Sequence, residues 1–228
     1  MPRLHPKISD SFEDDTKPVV SMGDFIYQES NSLEESFCDH LIARFDSDGR
    51  TREGGVGDGQ INRKIKQTID MQISQYDDWG TEDDVLYEAL KDGMTSYYDH
   101  VNELTDGYLD LLTFQDYEYK DSGYQIQRYE PGEFYRWHHD YKITFINGAR
   151  VFTFMWYLNT INEGGHTDFV DGSSIKPEAG KLVIFPGTWT YLHRACPPID
   201  QRKYICTGWI HTKPYNKEDN NETSESDT

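Results

Sequence analysis

Three cysteines in 228 residues, Cys38, Cys196 and Cys206, are an odd number at wide spacing. They make neither a disulfide framework nor a zinc motif, which points to a reducing, intracellular setting. Basic residues are also scarce, 22 against 41 acidic, for a formal net charge of -19. That balance disfavours a nonspecific grip on nucleic acid or on an anionic membrane surface. No apolar run approaches the roughly 20 residues of a membrane span. The stretch from Met1 to Asp24 lacks the apolar centre of a secretory signal, so a cytoplasmic protein is expected. Aromatics are plentiful at 14%, which argues against wholesale disorder.

The pattern along the chain gives one domain between two tails. Residues 1–23 are polar and aperiodic, and 216–228 hold five acidic residues with no apolar group, so both tails are expected to be disordered. Within 24–215, residues 24–123 read as helical support. Asp24–Gln28 suggests a short strand. Ser32 to Glu35 has the form of a capping box, ahead of Leu33, Phe37, Leu41 and Phe45 at helical spacing. Residues 46–60, with five glycines and many charges, read as a loop able to act as a lid. Thr68–Ser74 alternates as a strand, and a second helix is predicted from a cap at Thr81 to about Leu104.

Residues 124–215 change character. Strands are predicted near 124–130, 135–141, 150–158, 165–170, 181–186, 190–194 and 203–211. The fold expected is mainly β with supporting helices, around a double-stranded β-helix, the jelly-roll or cupin-like core.

Tyr129 to Asp140 reads Y-E-P-G-E-F-Y-R-W-H-H-D. On a strand His138 and Asp140 project together while His139 points away. An imidazole and a carboxylate on one face supply two metal ligands, and His193, 53 residues on, is the candidate third. Two histidines and one carboxylate leave positions open and favour non-haem Fe(II). Taken alone, a His-x-Asp pair in a strand is more often a surface or hydrogen-bonded couple. His166 follows Gly164-Gly165 and is not expected to be a ligand.

The surroundings of these residues resemble the prolyl 4-hydroxylase group of Fe(II)- and 2-oxoglutarate-dependent oxygenases. The matching features are Tyr129, Pro131-Gly132, Tyr135, His138-His139-Asp140, a strand ending in Tyr157-Leu158, Gly164-Gly165 with Thr167 and Phe169, the segment Ile175–Phe185, His193, Lys203 and Trp209. The likeness covers roughly 124–211. It implies that His138, Asp140 and His193 hold iron and carry the catalysis. It implies that Lys203 pairs with the distal carboxylate of 2-oxoglutarate, and that Tyr129 and Tyr157 give hydroxyls to this cosubstrate. Arg150 and Trp209 would face the substrate. O2 would be consumed, succinate and CO2 released, and ascorbate could serve as reductant. One departure is Gln201, where the family has glycine.

The implied substrate is a peptidyl proline, in a peptide that can be proline-rich, with Tyr135, Trp137, Trp156, Tyr191 and Trp209 available to line a groove. By charge, a basic or neutral peptide fits better than a nucleic acid. The R-x-N-x-T-x-R ending of nucleic-acid demethylases is absent after His193. Two alternatives stay open: a hydroxylase of a free amino acid or small metabolite, and a non-catalytic metal- or peptide-binding jelly-roll.

Overall fold

The structure is a computed structural model and describes residues 20–57, 59–107, 119–144 and 148–212. Most of the two predicted tails lies outside these ranges. A 3-10 turn at Met22–Phe25 comes first, so part of the supposed tail takes part in the fold. Strand β1 (Tyr27–Glu29) follows, later and shorter than the strand expected at 24–28.

Helix α1 spans Glu35–Ser47 with Glu34 at its N-cap. Ser32 does not cap it. The Ser32 hydroxyl instead accepts a hydrogen bond from the buried indole of Trp156, at 3.1 Å. Two residues of the predicted 46–60 loop end α1, and β2 (Arg52–Glu53) occupies two more. β3 (Ile69–Gln72) gives way to a 3-10 turn at Ile73–Gln75, which shortens the predicted strand. Helix α2 runs Gly80–Leu104, and Trp79 rather than Thr81 is its N-cap. Trp79 is fully buried, donates to Asp48 at 3.1 Å and lies under the Arg44 guanidinium. Tertiary packing thus sets the start of α2, over the local capping preference.

The β elements that follow are β4 (Tyr119–Asp121), β5 (Gln125–Tyr129), β6 (Tyr135–His138), β7 (Ile143–Thr144), β8 (Gly148–Tyr157), β9 (Thr167–Phe169), β10 (Ser174–Ile175), β11 (Leu182–Pro186), β12 (His193–Ala195) and β13 (Lys203–Thr212). They form two antiparallel sheets. The larger has the order β1-β11-β8-β13-β5-β3-β2, with β4 and β7 at its margins, and the smaller has the order β10-β9-β12-β6. This is the double-stranded β-helix expected from sequence.

Strand alternation gives the large sheet two faces and two cores. On the outer face Phe154, Trp156, Leu182, Ile184 and Cys206 pack against Leu41 and Phe45 of α1 and Leu86 and Leu90 of α2. Helix α2 lies so close that a Cβ on Gly93 would meet Leu182 at 2.3 Å. The inner face carries Tyr129, Met155, Tyr157, Val183, Phe185 and Ile205, with Phe169 and Ile175 from the smaller sheet. The three cysteines are buried and unpaired. Among the described residues no helix is long and apolar enough to cross a membrane.

Candidate metal and cosubstrate site

Strands β6 and β12 set His138 and His193 directly opposite one another as Cα partners. Their ring centroids are 4.2 Å apart. β6 ends at His138, three residues short of the strand predicted to 141, so Asp140 comes from the connection beyond it. It still reaches the pair: His138 Nε2 is 3.8 Å from Asp140 Oδ1, and His193 Nε2 is 3.7 Å from Oδ2. The three donor atoms lie within metal-binding reach of one another.

Each ring is oriented by its other nitrogen. His138 Nδ1 donates to the Arg136 carbonyl at 2.8 Å, and His193 Nδ1 to the Tyr191 carbonyl at 3.0 Å. The Nε2 lone pairs therefore point at the shared space. Tyr135 stacks on His138 with centroids 3.5 Å apart, and Phe169 and Phe185 wall His193. Thr153 donates to Asp140 Oδ2 at 2.8 Å. Burial, then the neighbouring His193, pushes His138 down to about 3, so its ring is neutral and ready to ligate. Burial by itself would raise the Asp140 carboxyl. His193, then His138, and the Thr153 hydroxyl outweigh it and hold the group below its usual range. Two imidazoles and an ionised carboxylate converging on one space fit a divalent metal of the Fe(II) type.

A narrow inner cavity of about 50 Å³ adjoins the triad, lined by Gln127, Thr167, Ala195 and Ile205 among others, with Lys203 in its wall. Lys203 is 1% exposed, lies 4.3 Å from the Tyr129 ring centroid and donates to the Gly165 carbonyl at 2.9 Å. Burial pushes its ammonium down to about 7. Gly164 and Gly165 both have positive φ, 72° and 67°. A Cβ on Gly164 would meet the Pro197 carbonyl at 2.3 Å, so only glycine lets this turn bring the Gly165 carbonyl to Lys203.

Tyr129 lines the cavity and donates to Gln127 at 3.0 Å. Tyr157 is not among the lining residues; its hydroxyl donates to Thr167 at 2.7 Å, and Thr167 is the group that lines the cavity. Arg202 turns outward to Glu130, as the alternation of β13 requires.

A wider outer cavity of about 550 Å³ opens beyond Asp140 and is lined in part by Arg150, Trp209, Gly55, Gly57 and Gly59. Arg150 stacks on Trp209, 3.6 Å from the ring centroid. Lys66 and Asp70 form a buried ion pair at 2.7 Å in the same wall. His139 lines this outer space, away from the triad.

The proposed aromatic groove needs correction. Trp156 faces the helices in the outer core, because even-numbered residues of β8 beyond Val151 point that way. Tyr191 is packed on Phe185, and the half-exposed Trp137 lies on the far side of β6 beside Arg194. Tyr135 and Trp209 alone of the five line the outer cavity. His166, Asp168 and Cys196 form a second grouping on the back of β9 and β12, where Arg194 already holds Asp168 at 2.7 Å. The sequence pattern did not single out Thr153 or Gln127, and it marked Thr167 as a matching feature without giving it a role. Each sits on the inner face at an even step from Tyr157, Phe169 or Tyr129, so extending the alternation would have found them.

Residues 124–211 match the family model of the 2OG-Fe(II) oxygenase superfamily, and two histidines with one carboxylate on this fold are the donor set of a 2-oxoglutarate-dependent dioxygenase. Within that class the protein is similar to the prolyl 4-hydroxylases. Prolyl 4-hydroxylase 2 of Arabidopsis thaliana is 26% identical over an alignment that spans 85% of this chain and 68% of that one. A prolyl-4-hydroxylase from Pseudomonas putida shares the fold, with TM-score 0.56 at 21% identity over 82% of this chain and 92% of its own. A prolyl hydroxylase from Trichoplax adhaerens, solved with a peptide fragment of the hypoxia inducible factor oxygen degradation domain, has TM-score 0.61 at 16% identity, over 82% and 84%.

Proposed function

We propose that the protein hydroxylates a peptidyl proline, with His138, Asp140 and His193 as the iron ligands. The observation that carries this reading is the joint placement of the triad and of Lys203 on one small cavity. Iron and 2-oxoglutarate supply the O2-dependent oxidation, which releases succinate and CO2 and leaves a hydroxyl on the substrate carbon. The protein's residues provide placement and exclusion. Lys203 holds the distal carboxylate of the cosubstrate, since a buried carboxylate needs a fixed cation. Tyr129 adds a hydroxyl beside it. Tyr157 acts one step back by fixing the Thr167 hydroxyl that faces the cavity. Thr153 and the two backbone carbonyls keep the ligands aimed. Arg150 and Trp209 form the substrate side of the site.

Residues 24–215 are read as one working unit, with a peptide or protein as partner and neither nucleic acid nor membrane. The three buried thiols support an intracellular setting. Mass spectrometry of proline-containing peptides, after incubation with the iron-loaded protein and 2-oxoglutarate, tests the reading. One added oxygen on proline is expected. Oxygen on another residue, or on a free amino acid only, would replace proline as the target.

A further inference from the structure

The chain as a whole is strongly acidic, yet the wall of its outer cavity is not. Arg52, Lys66, Lys142 and Arg150 line it, against Glu53, Asp70 and Asp140. The acidic members are already engaged. Glu53 is bound by Arg63, Asp70 by Lys66 at 2.7 Å, and Asp140 by Thr153 between the two histidines. Two of the cations keep donors to spare. Arg52 is exposed, and among the described residues its guanidinium has no ion-pair partner. Arg150 is held flat on Trp209; its Nη1 makes only a long bond to the Asp140 carbonyl, at 3.4 Å, and its buried Nε has no hydrogen-bond partner.

We propose that the outer cavity selects a peptide with a carboxylate side chain, Asp or Glu, close to the target residue. This rests on the proline-hydroxylase reading and narrows its substrate class. The local charge reverses the expectation of a basic or neutral peptide drawn from net charge. Screening decides between the two: charges beyond about 10 Å are largely lost at ordinary ionic strength, so the cavity wall outweighs the distant acidic surface. A long polyanion would still meet that surface along its length, whereas a short peptide meets only the mouth. Arg150 supplies a rigid fork suited to a carboxylate, and Arg52 supplies a solvated charge that speeds encounter.

The test uses three peptides with one proline core, flanked by Glu, Gln or Lys. Hydroxylation rates are measured with the iron-loaded protein, and binding by fluorescence anisotropy at low and high salt. The Glu peptide should bind about fivefold tighter than the Gln peptide at low salt, and the gap should close at high salt. Arg52→Glu should raise KM for the Glu peptide, leave kcat in place and favour the Lys peptide. Arg52 is an exposed residue, so this variant folds. Equal binding of the three, a preference for Lys, or a preference indifferent to salt would overturn the inference while leaving the proline reading intact. Hydroxylation of none of the peptides would overturn the proline reading and this inference together.

Discussion

Arg150 and Thr153 point to the same side of the large sheet although they stand three positions apart along β8. Regular alternation would set them on opposite faces. The pairing of β8 with β13 shifts register next to Arg150: Ile210 faces Phe152, while His211 faces Arg150. This bulge leaves Val151 and Phe152 both on the helix-facing side and swings Arg150 over Trp209. One extra residue therefore joins a group that orients a metal ligand to a group that meets substrate.

Thr153 is the first place to disturb that arrangement. Thr153→Val keeps the shape but removes the hydrogen bond to Asp140. Metal affinity should fall by about 10- to 100-fold, the usual effect of losing such a partner. Titration with Mn²⁺ or Fe(II) measures it, and unchanged affinity would mean that the histidines alone orient Asp140.

Lys203 gives a pH dependence with a definite sign. Burial holds its native value at about 7, below the ordinary lysine value of 10.5. The unfolded chain therefore binds more protons between these two values, and this group's contribution to stability rises with pH across that window. Below pH 7 its full penalty is present. Lys203→Met should stabilise the ligand-free protein by about 1–4 kcal/mol while abolishing 2-oxoglutarate binding. In the native protein, cosubstrate affinity should be flat below pH 7. It should weaken by up to about tenfold per unit above it, because binding must then draw a proton. Calorimetry in buffers of different ionisation enthalpy detects that proton directly. Affinity that rises above pH 7 would contradict the assignment of Lys203.

Gly165→Ala tests the turn that carries the carbonyl to Lys203. The new Cβ would lie 3.0 Å from Ile161 and force a residue with φ of 67° out of its preferred region. A loss of more than about 1 kcal/mol is expected, together with weaker cosubstrate binding. A thermal melt and a 2-oxoglutarate titration separate the two effects.

Much of this was legible in the sequence because strands advertise themselves by period. The placing of His138 opposite His139 followed from alternation alone, and the same alternation accounts for the inner-face row Lys203, Ile205, Thr207 and Trp209 and for the outward turn of Arg202. Elements set by tertiary contact were not legible. Ser32 looked like a cap until the Trp156 indole claimed its hydroxyl, and Trp79 displaced Thr81 at the start of α2 because the core, not the helix end, holds it. The aromatic groove failed for a related reason. Composition shows that tryptophans are present, but only the register of β8 shows that Trp156 lies under the helices. The bulge at Val151 leaves no mark in composition or spacing, so the pairing of Arg150 with Thr153 emerges only in three dimensions.

On this account the triad and Lys203 work as one oxidising centre. Succinate formation by the iron-loaded protein, with 2-oxoglutarate, O2 and a proline-containing peptide, tests it most directly beside an Asp140→Ala control. Succinate that rises with peptide and disappears in the Asp140→Ala protein is the result expected. Equal succinate from both proteins, or none from a native protein shown to hold metal and cosubstrate, would contradict it.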